Sequence, residues 1–163
     1  MSMNLRFCAI VASALIASFS HAGASRLAIV IGEPFTDSGD SCIQRITPGT
    51  PVSIPTGTFV IHEGDVQGWV PQYARLTLNP ERFPARALEN LEKRCFMLLV
   101  DGRYTGSGLA LSVNTNFLTG IETLNLIPNN ETLTLQFTGG NHGMHLSIIW
   151  QEQLRKVLGE TPW

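Results

Sequence analysis

Charge is scarce in this chain of 163 residues: Asp, Glu, Lys and Arg together make 15% of it, against about 25% in an average soluble domain. Acids outnumber bases 13 to 11, so there is no basic excess of the kind that tracks a phosphate backbone, and nucleic acid is not an expected partner. No apolar run reaches the roughly 18 to 20 residues needed to cross a bilayer. Cysteine is limited to three positions and aromatics to 8%. The hydrophobic share of 44% is ordinary, so Thr, Ser, Asn, Gln and Gly fill the place of the missing charges. That is a composition of exported β proteins.

The first residues fit this reading. Arg6 precedes an apolar segment from Phe7 to about Ala17, and the small residues around His21-Ala22-Gly23-Ala24 suit cleavage after Ala22 or Ala24. The pattern is that of a secretory signal peptide over residues 1–24. Cys8 is not a lipid-modification site, because Leu5-Arg6-Phe7 before it is charged and bulky and the apolar region follows it. Removing the segment takes Arg6 and no acid, which moves the formal charge from −2 to −3. Residues 25–163 are then long enough for a single domain with its own core, outside the cytoplasm, in the periplasm or secreted, with no membrane span.

Cleavage also leaves an even pair, Cys42 and Cys95. In an oxidising compartment the economical expectation is one disulfide. It would close a loop of about 50 residues, which the chain-entropy model values at roughly 4 kcal/mol.

The clearest patterning lies between Cys95 and Trp150. Cys95 to Val100 is apolar at every position, as a strand covered on both faces would be. Asp101-Gly102 is a tight-turn signal, and Arg103 to Val113 returns antiparallel. In that return strand Gly106, Gly108, Ala110 and Ser112 share a face with Tyr104, opposite Leu109, Leu111 and Val113. Glycines two apart imply a close-packed neighbour, with the helix or Trp150 as candidates. Ile121 to Ile127 reads as a further strand. Glu131 to Thr138 alternates strictly, and Met144 to Trp150 alternates again after Gly139-Gly140-Asn141-His142-Gly143, which predicts a hairpin with a Gly-rich loop.

Upstream, Arg26 to Ile31 is a β-branched run closed by Gly32 and Pro34. Prolines at 48, 51, 55, 71, 80 and 84 break the middle of the chain into short strands and turns, with Thr58 to His62 and Ala74 to Leu78 as the strand candidates. Pro84 to Arg94 is the one convincing helix, started by its proline, with Leu88 and Leu91 on one face and Glu89 four before Lys93. Gln151 to Leu158 suggests a C-terminal helix stopped by Gly159. The fold class expected is therefore mostly β: an antiparallel β-sandwich-like domain with a short helix at about 84–94, a C-terminal helix and one disulfide.

Catalytic patterns break at their reacting residues. Ile31-Gly32-Glu33-Pro34-Phe35-Thr36-Asp37-Ser38-Gly39 loosely resembles the first block of the GDSL/SGNH hydrolases, which implies a small periplasmic hydrolase. Glu33 and Pro34, however, stand where that family has Asp and the nucleophilic Ser. Gly39-Asp40-Ser41 supplies the letters, but Cys42 follows, no strand directly precedes, and the late Asp-x-x-His is missing. His62-Glu63 is followed at the fourth position by Val66 and so does not begin a zinc-protease helix. Gly106-Ser107-Gly108 lacks the spacing of a nucleophile elbow. His142 and His145 lie three apart without a locatable third ligand, so no metal and no cofactor is expected. Asn130-Glu131-Thr132 matches a glycosylation acceptor, which has meaning only in a host that glycosylates.

A non-catalytic role remains: a binding or inhibitor-type β domain that meets another macromolecule, protein or glycan, outside the cytoplasm. The candidate contact residues are Trp69 and Tyr73, two aromatics around Pro71, and Asn141 and His142 in the Gly-rich loop. The alternative is a structural subunit, because size, leader, single disulfide and β content resemble a fimbrial pilin. Pilins end in an alternating strand with a penultimate aromatic, whereas here a polar tail follows Trp150.

Overall fold

The structure, a computed structural model, describes residues 25–34, 40–113, 121–139 and 148–163. Eight strands follow in chain order: β1 (Leu27–Pro34), β2 (Phe59–His62), β3 (Val66–Val70), β4 (Arg75–Leu78), β5 (Arg94–Val100), β6 (Arg103–Ser112), β7 (Thr123–Asn129) and β8 (Thr132–Thr138). Two helices, α1 (Leu88–Leu91) and α2 (Ile148–Leu158), and four single 3-10 turns complete the described chain. The strands form one sheet in the order β2-β1-β5-β6-β7-β8-β4-β3. Its two end strands are consecutive in sequence and joined only by the turn Glu63–Asp65, so the sheet curls until it is nearly a closed barrel. The mostly β, disulfide-bonded class expected from the sequence is what folds, and the sandwich-like expectation is roughly consistent with the nearly closed barrel. One pair departs from antiparallel order: β6 and β7 run parallel, with Leu109 opposite Thr123 and Ser112 opposite Leu126.

Alternation decides which side chains go inside. Leu27, Ile29 and Ile31 of β1, Phe96 and Leu98 of β5, Leu124 and Leu126 of β7, and Leu133, Leu135 and Phe137 of β8 belong to one buried cluster. Trp150, Leu154, Val157 and Leu158 of α2 join it. Their spacing of four, three and one is a single helical stripe. Phe96, Phe137 and Trp150 meet in the cluster with ring centroids 5.5 to 5.8 Å apart, distances at which aromatic pairs attract beyond their buried area.

β5 is covered on both faces, as its unbroken apolar run requires. Its outer face, with Ala28 and Val30 of β1, Leu99 and Tyr104, packs against Ile46 and Val52 of the long connection from Cys42 to Thr58. This connection, here termed the arm, is held by backbone bonds to the start of β6. Gly49 N–H donates to Tyr104 O (2.7 Å), and Tyr104 N–H to Thr50 O (2.8 Å). The disulfide Cys42–Cys95, spanning 53 positions, pins its other end to β5. Leu109 and Leu111 bury that bridge.

Asp65 closes the opposite end of the sheet. Its carboxylate accepts from His62 N–H (2.8 Å) and from Arg82, and its own carbonyl accepts from Asn79 N–H (2.8 Å). A buried carboxylate with several donors is satisfied where it sits, and here it fixes the angle at which β3 leaves β2.

Several expected elements are corrected. The helix over 84–94 is cut to the turn Ala85–Ala87 and α1, because Lys93 takes a positive φ of 57° and Arg94 already pairs with Ala110 in the sheet. The predicted strand Met144 to Trp150 fails over its last three residues, which open α2; residues 144–147 and the Gly-rich loop lie outside the described residues. β8 pairs with β7 and β4 instead. β3 was not legible as a strand. Tyr104 lies on the outer face, opposite Gly106, because the register slips between Leu98 and Leu99 and leaves Thr105 bulged. The hairpin at Asp101-Gly102 forms as expected, both residues with positive φ.

Candidate functional site

The arm and the outer faces of β1 and β5 enclose a groove of about 470 Å³. Val30, Ile46, Val52 and Met97 give it an apolar floor, while Glu33, Ser41, Gln44 and Thr58 supply polar rim groups. The arm can hold this shape without regular structure because it is fixed at several points. Besides the disulfide and the bonds to Tyr104, Val52 N–H donates to Gly102 O (3.2 Å), Arg103 to Gly49 O (2.8 Å) and Gln44 N–H to Ser107 Oγ (3.0 Å).

Two exposed large apolar residues flank the groove in sequence: Ile43 (53% exposed) and Ile54 (40%). Each neighbours a lining residue, respectively Gln44 and Pro55. Isolated exposed apolar residues need no explanation, but two on the arm that walls an apolar groove form a surface suited to association. Chemically, the groove offers shape and apolar area with a few polar anchors. Ser41 lines it, and among the described residues no histidine does.

The sequence candidates are distributed differently. Trp69 is fully buried; its indole Nε1–H donates to Gly159 O (2.9 Å), and its backbone N–H and C=O bond with Trp163, the N–H to Trp163 O at 2.8 Å and the C=O from Trp163 N–H at 3.1 Å. Tyr73 is 47% exposed, with the Arg75 guanidinium 5.3 Å from its ring centroid. The two aromatics therefore do not form one platform. Asn141, His142 and His145 lie outside the described residues.

His62 sits at the end of β2 beside a second cavity, of about 570 Å³, shared with Arg26, Glu63, Val157, Leu158 and Trp163. Among the described residues its Nδ1 is enclosed without a hydrogen-bond partner. Arg26, in the same lining, is engaged with Asp101 and with Lys156 O. Among the described residues no three His, Cys, Asp or Glu side chains gather as a metal site, and no helix is long and apolar enough to cross a membrane.

Sequence reasoning missed the groove because its parts are scattered over β1, β5 and a stretch read as turns. A signal was present. β5 is apolar at every position and needs a cover on both faces, and Ile43, Ile46, Val52 and Ile54 are spaced apolar residues in a proline-broken connection.

Compared with family models, with curated proteins and with solved structures, the chain matches none of them.

Proposed function

We propose that this chain is an exported, non-catalytic binding domain that engages another macromolecule outside the cytoplasm through the groove beneath its arm. The observation that carries this reading is the coincidence of that apolar groove with exposed Ile43 and Ile54, on a segment held by a disulfide. A disulfide-tied arm keeps its binding shape before the partner arrives, which reduces the ordering cost of association. The bonded cysteine pair is compatible with an oxidising compartment, and the leader-like residues 1–24 supply the route. Tyr73, stacked with Arg75, is a secondary contact point at the β3–β4 end.

A photo-reactive phenylalanine analogue placed at Ile43 or Ile54, in cells producing the protein, tests the reading. Crosslinks from both positions to one partner, and none from exposed Val113 just past β6, are expected. A partner captured from Val113 and from neither of the two would place the interface elsewhere.

A further inference from the structure

The strand β2 ends the sheet, and a groove lies beside it. The side of β2 that is open follows from one bond. His62 N–H donates to the Asp65 side chain, not to β1. Hydrogen-bonding sides alternate along an antiparallel strand, so Val60, two residues earlier, also turns its N–H and C=O away from β1. Among the described residues no backbone bond from outside the sheet ladders reaches Val60, and β2 ends the sheet.

Alongside that edge runs a groove of about 340 Å³ between Phe59 and the segment from Arg82 to Leu91. Phe83 and Leu91, both buried, form its floor with Pro84 and Ala87. The rim is cationic. Arg94 lies 5.5 Å from the Phe59 ring centroid and Arg82 5.5 Å from that of Phe83, while Arg86, exposed, has no ion pair among the described residues. Glu89 is the one acid in the lining, and Asp65 is already engaged by Arg82.

We infer that this edge receives an extended acidic segment of a partner protein, added as a strand to β2. The partner's backbone would bond Val60. An apolar side chain would enter between Phe59 and Phe83, and carboxylates on alternate positions would meet Arg86 and Arg94. Short edge strands are a common protection against unwanted pairing; here the four residues of β2 are followed by a groove whose floor and charge select what pairs. The inference deepens the binding reading by naming a partner class, but it rests on a different surface from the arm groove. Its failure would leave the crosslinking result standing.

The probe is a labelled peptide, acetyl-Glu-Val-Glu-Phe-Glu-Val-Glu-amide, followed by fluorescence anisotropy. Its controls are the same peptide with Lys for Glu, and one N-methylated at alternate residues so that it cannot pair as a strand. Saturable binding of the acidic probe is expected, weakened about tenfold by Arg86→Glu and by Phe59→Ser, and lost on N-methylation. Melting curves of both variants show that they are folded. Equal binding of the lysine peptide, undiminished binding of the N-methylated one, or no binding of the acidic probe would overturn the inference. So would a dimer in sedimentation that Arg86→Glu dissolves, since the edge would then serve a second copy of this chain.

Discussion

The indole of Trp150 lies over Gly106, so close that a Cβ on that glycine would stand 2.5 Å from Cη2 of the ring. Two residues on, a Cβ at Gly108 would overlap the backbone carbonyl of Glu122. The two glycines are therefore the space into which α2 and the chain before β7 pack. Glu122 adds to the fit by accepting a hydrogen bond from Trp150 Nε1–H.

Gly108→Ala should accordingly be the costlier of two alanine substitutions, because a backbone carbonyl cannot turn aside as a side chain can. Overpacking of this kind costs about 1 to 3 kcal/mol. Urea titrations of Gly106→Ala and Gly108→Ala would show the order. Combining Gly106→Ala with Trp150→Leu should lose less than the sum of the single changes, since the leucine vacates the ring's volume. Strict additivity would mean that the two residues do not compete for that space.

The disulfide should contribute about 2 to 4 kcal/mol, through the arm. Replacing Cys42 and Cys95 together by alanine is expected to lower the melting temperature and to raise hydrogen exchange at Gly49, Val52 and Tyr104, whose amides tie the arm to β6. Thiol labelling of denatured, unreduced mature protein should find no free cysteine. A double variant as stable as the parent would show that the bridge is incidental to the fold.

Asp65→Ala removes a buried carboxylate that accepts from His62 N–H and from Arg82. Hydrogen bonds to charged groups are worth about 1.5 to 3 kcal/mol, so a loss in that range is expected. Arg82→Ala should cost less, because its side chain is 57% exposed and water can take its place, while the His62 N–H bond to Asp65 remains. If the arginine variant proved the more damaging, the role given to the Asp65 bond with His62 would be mistaken.

The proposed export makes a separate expectation. N-terminal sequencing of protein from the cell-envelope or culture fraction should read Gly23 or Ser25 first. Material that keeps Met1 and stays in the cytoplasm would contradict it.

Most of the fold was legible because period-two alternation is a local property. The sequence pattern identifies every strand except β3, and the tight turn at Asp101-Gly102 is set by its residue types. β3 was hidden because Val66-Gln67-Gly68-Trp69-Val70 carries a glycine and a register shift against β4, which break the alternation. Met144 to Trp150 misled for a different reason. Trp150 is at once the last member of an alternating run and the first of the stripe Trp150, Leu154, Val157 and Leu158, and only burial in the barrel decides for the helix. Pro84 to Arg94 has helical propensity to its end, but the ladder with β6 claims Arg94. The parallel pairing of β6 with β7 leaves no local trace. The candidate site was less legible than the fold, since a groove between two strands and an irregular arm depends on long-range placement; Tyr73 was found by residue type and is exposed, while Trp69, found the same way, is buried.

The central claim is that the arm groove is where a partner binds. Hydrogen exchange, measured on the protein alone and with the partner recovered by crosslinking, tests it most directly. Slowed exchange is predicted in Val30 to Gly32, Gln44 to Thr58 and Cys95 to Met97, with β7 and β8 unchanged. Protection confined to β7 and β8, with the arm exchanging as in the free protein, would contradict it.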